Sequence, residues 1–330
     1  MRIFLIGLLA AGLAAGRLAA ATNVVAGTTN PPAAAAAAAA PDANDPVEKE
    51  FKKLMEADDA AQAEVDDWIK ENDRAAAQGA GVPSADLRRR IRERFQPIRN
   101  GYEDFIKRHP DHARARVAFG SFLNDFQDEE GAREQLEKAL ELNSKDPAAY
   151  NNLANLYGHS GPVKKAFECY TKAIELNPRE PIYYDNFGTT VYLFRKDAME
   201  YYHITEQQVF DKALELYSHA LKLDPTNFPL ASDVAQTYYG IKPLRLEDAL
   251  KSWTNTLALA HDEVEREGVY LHFARLKLQA DRFAEVHAHL DAVTNELYAV
   301  LKKRLVHNLE LAEQKASKTN APAAVPEKKP

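Results

Sequence analysis

The side chains best suited to metal binding or nucleophilic chemistry are ten histidines and one cysteine. His287 and His289 stand two positions apart, so on a helix they point to different faces. His109 and His112 flank a proline in a turn and lack a third metal ligand. Cys169 lies beside a tyrosine in a helical pattern, where a partly buried structural thiol is favoured over a nucleophile. We therefore predict no catalytic residue, no bound metal and no cofactor.

The motifs of several large enzyme classes are missing from the sequence. It has no HExxH pair, no glycine-rich phosphate loop and no GxSxG elbow, so no nucleophile stands beside a local base. The formal net charge of −7 argues against a general nucleic-acid or anionic-membrane surface. We expect a chain that is not an enzyme, takes no small-molecule substrate and binds no nucleic acid.

An internal repeat organises most of the chain. The segment 147–180 carries large apolar, small and proline residues at the spacing of two helices joined by a turn. This pattern resembles the tetratricopeptide repeat, a unit of about 34 residues that buries its apolar face by stacking on further copies. The resemblance implies an all-α, right-handed α-solenoid of helix-turn-helix repeats with a concave, peptide-binding surface. The matching residues are Tyr150, Leu153, Ala154, Tyr157, Ala166, Tyr170, Ala173 and Pro178.

The small residue of each second helix recurs and marks further repeats. Ala132, Ala166, Ala213 and Ala249 are separated by 34, 47 and 36 residues, so one repeat is enlarged. Val286 replaces the alanine of the last repeat, which predicts less close packing there. The predicted segments are a degenerate helical repeat at 84–112, a solenoid at 113–294 with repeats at 113–146, 147–180, 181–227, 228–263 and 267–294, and a capping helix at 295–316.

The first helix of each tetratricopeptide repeat lines the groove, and asparagines there can hold the backbone of an extended peptide. Asn152 and Asn155 occupy such positions, and Asn186 repeats the first of them one unit later. An amide offers both donor and acceptor, so it can pair with a peptide group of any sequence. A solvated or inter-helix hydrogen-bonding role remains the alternative. In the same register the groove continues through Asp233, Gln236, His272 and Arg275.

The chaperone-binding members of the family surround such asparagines with lysines and an arginine that clamp a carboxylate. In this sequence Val117 and Ile182 stand where those cations would be expected. The carboxylate-clamp specificity is therefore not predicted for this chain.

The enlarged repeat is the second candidate for recognition. Its extra residues fall near 194–204, before Thr205 and Gln208, which predict a capping box for the next helix. We expect longer helices there that project above the edge of the solenoid. Aromatic side chains suit a recognition surface, although the rings could instead seal the extra helical turns against each other. These side chains are Tyr192, Phe194, Tyr201 and Tyr202.

The first segment predicts export. An apolar run over 3–16 is too short to span a membrane and is followed by small residues, so we predict a signal peptide over 1–21 and a periplasmic or secreted protein. The predicted function is an exported, non-catalytic interaction scaffold that binds an extended peptide or protein segment. The alternative is a structural or assembly protein of the cell envelope, held by an uncleaved leader or by pairing of an N-terminal helix. A membrane is a partner only if the leader is retained.

Segments outside the repeats have their own patterns. A spacer over 22–45 and a tail over 317–330 have too few large apolar side chains to fold. Asp45 and Pro46 predict the start of an amphipathic helix over 46–78. We favour docking of this helix on the repeats, with pairing to a second chain as the alternative.

Six arginines lie between residues 88 and 99. They could bind a polyanion. Because the preceding helix is rich in acidic residues, we favour the interpretation that these arginines pair with it or face solvent. Pro97 should kink or end this helix, so that Ile98 belongs to a second one.

Overall fold

The computed structural model describes residues 44–77 and 80–319 of the 330-residue chain. The predicted signal peptide, nearly all of the spacer and the tail after residue 319 lie outside these ranges. Within them all regular structure is helical, as predicted, and none of the helices is long and apolar enough to cross a membrane. The helices are α1 (Pro46–Ala77), α2 (Ser84–Arg108), α3 (Ala113–Asp125), α4 (Glu129–Leu142), α5 (Pro147–Ser160), α6 (Val163–Leu176), α7 (Pro181–Leu193), α8 (Arg195–Tyr202), α9 (Glu206–Leu223), α10 (Phe228–Thr237), α11 (Leu246–Ala258), α12 (Glu263–Leu278), α13 (Phe283–Asp291) and α14 (Ala299–Thr319), with 3₁₀ turns at Tyr238–Gly240 and Glu296–Tyr298.

The chain divides into two compact units, residues 1–223 and residues 224–330, which we call unit 1 and unit 2. In unit 1, α3 pairs with α4, α5 with α6 and α7 with α9. In unit 2, α10 pairs with α11 and α12 with α13. Helix α14 packs on α12 and α13 and buries Leu305 and Leu309. Each unit is therefore built from helix pairs of the expected kind.

Side chains at the helix starts satisfy backbone N–H groups that have no partner inside the helix. Asp146 accepts hydrogen bonds from the N–H groups of Ala148 and Ala149, at 2.9 and 3.1 Å, at the start of α5. Thr205 and Gln208 bond each other's backbone N–H groups before α9, as the capping box predicts. These caps determine where α5 and α9 begin. The first residue of a helix in turn determines which of its side chains share a face.

Small residues let the paired helices approach closely. The four alanines that mark the second helices are all fully buried. A Cβ atom at Gly120 on α3 would lie 2.7 Å from Leu136 on α4, and one at Gly188 on α7 would lie 3.0 Å from the Tyr217 ring on α9. Val286 is also fully buried, so the last pair accommodates the larger side chain.

Helix α1 docks on α2 within the same chain. The rings of Phe51 on α1 and Phe105 on α2 lie 5.6 Å apart, and both side chains are buried. Asp58 is completely buried in the middle of α1 and accepts a 2.8 Å hydrogen bond from the Tyr102 hydroxyl of α2. Asp58 interrupts the apolar face of α1, but its carboxylate is hydrogen-bonded within the interface between α1 and α2.

The arginine-rich stretch of α2 is engaged by acidic and aromatic neighbours. Arg94 donates to Glu64 of α1 at 2.7 Å, and the guanidinium of Arg90 lies 3.6 Å from the centre of the Trp68 ring. Arg99 donates to Asp128 at 2.9 Å. These contacts agree with the pairing interpretation favoured by the sequence.

The predicted end of the helix at Pro97, with a second helix from Ile98, is wrong, because α2 continues through the proline as one helix. An interior proline costs about 3 kcal/mol, chiefly through the lost hydrogen bond and a clash with the preceding turn. Buried side chains on both sides of it fall on one face, and their burial offsets that cost. They are Leu87, Ile91, Phe95, Ile98, Tyr102 and Phe105.

The enlarged repeat also differs from the expectation of longer helices. Its extra residues form a separate short helix, α8, between α7 and α9. The backbone leaves the helix of α7 at Phe194, and α8 ends at His203, whose φ of 55° is left-handed. Ala198 of α8 is fully buried, and α8 packs against α6 and α9. The turn at Phe194 lets the extra residues pack on neighbouring helices, which a straight continuation of α7 would not do.

Candidate functional site

Three asparagines of α5 and α7 form a continuous hydrogen-bonded row in unit 1. Asn186 Nδ2 donates to Asn151 Oδ1 at 3.1 Å, and Asn151 Nδ2 donates to Asn152 Oδ1 at 3.3 Å. Asn151 is 1% exposed, whereas Asn152 and Asn186 are half-buried. We call Asn151, Asn152 and Asn186 the amide row. It joins the first helices of two successive repeats through uncharged groups.

A second set of hydrogen bonds holds Asn155, the remaining predicted asparagine. The Tyr170 hydroxyl of α6 donates to Asn155 Oδ1 at 2.6 Å and accepts from the Thr190 hydroxyl of α7 at 3.1 Å. Tyr170 is buried, and burial raises its pKa above the ordinary tyrosine value. Its hydroxyl therefore stays protonated at neutral pH and fixes the direction of the Asn155 amide.

Sequence reasoning missed two buried members of this region, Asn151 and Asp185. Each precedes a predicted asparagine by one residue, and the two stand 34 residues apart, at the same place in successive repeats. Asn151 is the middle of the amide row, and Asp185 is 6% exposed. The shared repeat spacing was the signal in the sequence that could have identified both.

In unit 2 the equivalent region is aromatic. The rings of His272 on α12 and Trp253 on α11 stack 3.8 Å apart at an angle of 11°. The Tyr239 hydroxyl lies 3.0 Å from His272 Nδ1, and the Arg275 guanidinium lies 4.2 Å from the centre of the Tyr239 ring. We call Tyr239, Trp253 and His272 the aromatic stack. The stack brings two predicted residues, His272 and Arg275, into one contact network.

Burial changes the protonation of two predicted residues in unit 2. The pKa of His272 falls to about 3 because burial and the nearby Arg275 charge both disfavour the imidazolium. Burial raises the pKa of Asp233 to about 6. Asp233 and Gln236 lie one turn apart on the same face of α10. His272 is thus neutral at physiological pH, and the charged residues among the four predicted positions of unit 2 are Asp233 and Arg275.

The aromatic residues of the enlarged repeat are packed rather than freely exposed. The rings of Tyr201 and Tyr202 lie 5.4 and 5.6 Å from the ring of Phe167, which is fully buried. Tyr192 lies 6.1 Å from Phe210, and Phe194 is half-buried at the end of α7. The structure therefore places these four residues in two groups around α8.

Residues with metal-binding or nucleophilic side chains do not converge in the part of the chain that the structure describes. No group of three histidine, cysteine or acidic side chains there could hold a metal ion. Cys169 is half-buried, and burial raises its pKa to about 11, so the thiolate is disfavoured. His112 caps α3 by accepting the N–H of Ala115 at 3.0 Å.

The described helices form successive pairs, and the amide row joins the first helices of two of these pairs. This arrangement is that of a helical-repeat protein. A model of the tetratricopeptide repeat matches residues 147–180, which form α5 and α6. The chain therefore contains a tetratricopeptide repeat at residues 147–180. No curated protein matches it.

Solved structures of similar fold include PilW, a widely conserved type IV pilus biogenesis factor. The similarity has a TM-score of 0.52 with 14% identity and covers 65% of this chain and 91% of PilW. The chain is also similar to YrrB, a TPR protein with an unusual peptide-binding site, at a TM-score of 0.44 and 16% identity over 66% of this chain and 97% of YrrB. For MamA the values are 0.41 and 21%, over 54% of this chain and 95% of MamA. The similarity to PilW supports the tetratricopeptide α-solenoid class and concerns the fold alone.

Proposed function

We propose that the chain is a non-catalytic protein–protein interaction scaffold that binds an extended protein segment along the first helices of its repeats. The observation that carries this proposal is the amide row. Its half-buried members, Asn152 and Asn186, carry uncharged donors and acceptors on the first helices of two successive repeats. Such groups pair with the N–H and C=O groups of a peptide backbone whatever its side chains are.

The hydrogen bonds of the row keep the amides ready for a partner. An amide has four hydrogen-bonding places, and the described side-chain contacts of Asn186 use one of them. Asn155 accepts from Tyr170 with Oδ1, which leaves its Nδ2 group for a further acceptor. Both side chains are half-buried and held by neighbours, so less rotamer entropy is lost when a peptide binds.

The test compares peptide binding by the full chain and by a double variant, Asn152→Ala with Asn186→Ala. Random peptides are displayed, selected on the wild-type chain and then measured individually on both proteins. We expect selected peptides to lose roughly tenfold or more in affinity on the double variant, because backbone hydrogen bonds are lost. Far-UV circular dichroism establishes that the variant is folded.

The matched control replaces two exposed asparagines outside the row, Asn100→Ala on α2 and Asn308→Ala on α14. It should bind the selected peptides as the wild type does. Equal binding by the amide-row variant and the wild type would contradict the proposal.

We propose further that the scaffold works outside the cytoplasm, in the periplasm or as a secreted protein. Support comes from the apolar run over 3–16 and the small residues that follow it. Mass spectrometry of the purified native protein tests this. A first residue near Thr22 agrees with export and cleavage, whereas an intact first segment favours the envelope-anchored assembly protein.

A further inference from the structure

Two polar side chains that lie one helical turn beyond the amide row are hydrogen-bonded to tyrosines of the second helices. The Tyr170 hydroxyl of α6 lies 2.6 Å from Asn155 Oδ1 of α5, and the Tyr217 hydroxyl of α9 lies 3.0 Å from Thr189 Oγ1 of α7. Asn155 and Thr189 stand 34 residues apart, so they occupy the same place in successive repeats. We call Asn155 and Thr189 the held pair.

The two tyrosines also occupy equivalent positions. Tyr170 and Tyr217 each stand four residues after the small alanine that marks their second helix. Leu136 fills this position in the preceding repeat and Trp253 fills it in the following one. A tyrosine hydroxyl at this position therefore occurs in the two repeats whose first helices carry the amide row.

The distance between Tyr170 and Asn155 indicates which end of the amide faces the tyrosine. A separation of 2.6 Å is typical of an O–H···O hydrogen bond, whereas N–H···O hydrogen bonds lie nearer to about 2.9–3.0 Å. Burial raises the pKa of Tyr170, so its hydroxyl keeps the proton that it donates to Oδ1. The Nδ2 group is the other end of the same amide and points away from Tyr170. Asn155 is half-buried, and Nδ2 has no acceptor in the part of the chain that the structure describes.

Both tyrosine rings are fixed by close packing. Tyr170 is 1% exposed, and its ring stacks on that of Phe187 at 5.3 Å. Tyr217 is also buried, and its ring packs so closely on Gly188 that a Cβ atom there would lie 3.0 Å away. Because the rings cannot move freely, their hydroxyls hold the polar side chains in one orientation. A group that is oriented before binding loses less rotamer entropy when a partner arrives.

We propose that Tyr170 and Tyr217 are positioning residues of the binding surface in unit 1, and that Tyr170 makes the Asn155 amide a donor to a backbone carbonyl oxygen of the bound segment. The inference rests on the proposed function, since it takes the first helices of unit 1 as the binding side. It adds the chemical group that the partner presents at this position, an acceptor without a proton. Every residue of a peptide has such a carbonyl, proline included.

The donor assignment is tested with peptides selected from the display library on the wild-type chain, labelled and measured by fluorescence anisotropy. Asn155→Asp keeps the oxygen that accepts from Tyr170 and replaces the donor with a second oxygen. We expect it to weaken binding roughly tenfold or more, because the new oxygen repels the carbonyl of the peptide, whereas Asn155→Ala should weaken binding about three- to tenfold. Wild-type affinity in Asn155→Asp would overturn the donor assignment.

A double-mutant cycle tests the positioning role. Tyr170→Phe removes the hydroxyl and keeps the packed ring, and it should weaken peptide binding roughly threefold in the otherwise wild-type chain. In the Asn155→Ala background the same substitution should have no further effect, because its influence passes through the amide. Tyr217→Phe and Thr189→Val form the equivalent cycle in the next repeat. No loss in the wild-type background, or equal losses in both backgrounds, would overturn the positioning role.

Tyr184→Phe is the matched control for loss of a tyrosine hydroxyl. The Tyr184 hydroxyl donates to the carbonyl oxygen of Pro178 at 3.2 Å in the same unit, outside the held pair. The control should bind the selected peptides as the wild type does. Far-UV circular dichroism establishes that each variant is folded.

Backbone esters in a selected peptide locate the acceptor. Each peptide N–H is replaced in turn by an ester oxygen, which makes the adjoining carbonyl a weaker acceptor. One ester should weaken binding to the wild type roughly threefold more than it weakens binding to Asn155→Ala. If the two proteins respond alike to every ester, a side-chain group meets Asn155 and the assignment to a backbone carbonyl is overturned.

The outcomes also separate this inference from the proposed function. Loss of binding in the amide-row variant, together with wild-type affinity in Asn155→Asp and Tyr170→Phe, would uphold the scaffold and overturn the role of the tyrosines. The reverse result would uphold the held pair and overturn the amide row. A library that yields no peptide for the wild-type chain would overturn both.

Discussion

The amide row of unit 1 and the first helices of unit 2 fill equivalent repeat positions with different side chains. Asn152 and Asn186 belong to a chain of uncharged hydrogen bonds, whereas Asp233 and His272 stand in the same register one and two repeats later. The asparagines bond to a buried neighbour of the same kind. Asp233 has no such donor, and His272 is held by ring stacking on Trp253.

This difference shows that equivalent repeat positions carry different side-chain chemistry in the two units. Amides pair with any peptide backbone, so unit 1 is suited to binding without strong sequence preference. In unit 2 the half-buried carboxyl of Asp233 has only desolvation acting on its pKa, so its environment differs from that of the asparagines.

The largest expected effect comes from removing the centre of the aromatic stack. Trp253→Ala should lower the free energy of unfolding of unit 2 by about 3–5 kcal/mol, because a 1% exposed indole and its ring contact with His272 are lost. Hydrogen exchange read by mass spectrometry should speed up in α11 and α12. The chain has two tryptophans, so fluorescence of Trp68 in the variant reports on unit 1 separately. Unchanged exchange in unit 2 would show that the stack does not stabilise it.

Acid titration should separate two opposing contributions within unit 2. Between about pH 4 and 6 folded Asp233 keeps a proton that the unfolded chain has lost, so this residue lowers stability as pH rises. In the same range unfolded His272 binds a proton that the folded chain excludes, so this residue raises stability as pH rises. In the wild type the two contributions largely cancel.

Asp233→Asn should therefore reveal a positive slope of stability with pH, and His272→Gln a negative one, each relative to the wild type. One proton corresponds to at most about 1.4 kcal/mol per pH unit, and partial exposure makes the measured slope smaller. Urea unfolding at several pH values measures it. Asp291→Asn, which changes an exposed carboxylate, is the control and should keep the wild-type slope. Slopes of the same sign in both variants would contradict the assignment.

The amide row should depend on its buried member. Asn151→Ala removes the acceptor of Asn186 and the donor to Asn152, and we expect unit 1 to lose about 1–3 kcal/mol in free energy of unfolding. Urea unfolding of the Trp253→Phe background, in which Trp68 is the remaining tryptophan, isolates unit 1. The exposed replacement Asn100→Ala should change stability little. An equal cost for the two would mean that the row adds nothing to stability.

The smallest effect on stability is expected at Arg275. Arg275→Gln should change the free energy of unfolding by no more than about 0.5–1 kcal/mol, because the side chain is exposed and has one cation–π contact. Thermal unfolding measures this. A large loss of stability would show that the contact between Arg275 and Tyr239 contributes more than an exposed cation–π pair.

The helix pairs could be predicted because they depend on small residues at repeat spacing, and these are readable one by one. Asn152, Asn155 and Asn186 could be chosen for the same reason. Asn151 was missed because its role is to hydrogen-bond Asn152 and Asn186. Those hydrogen bonds depend on how closely α5 and α7 approach each other. The helix of α2 through Pro97 and the separate helix α8 were missed because tertiary burial outweighed the local signals.

The amino-acid sequence by itself determined the all-α repeat class, the pairing of helices and the positions that line their first helices, since these follow from residue size and period. The tertiary structure decided which of those positions bond one another and which retain unmatched charge. It buried Asn151 between two other amides, set His272 against Trp253 and left Asp233 without a donor. Those properties depend on distances between helices, and the repeat period alone does not specify them.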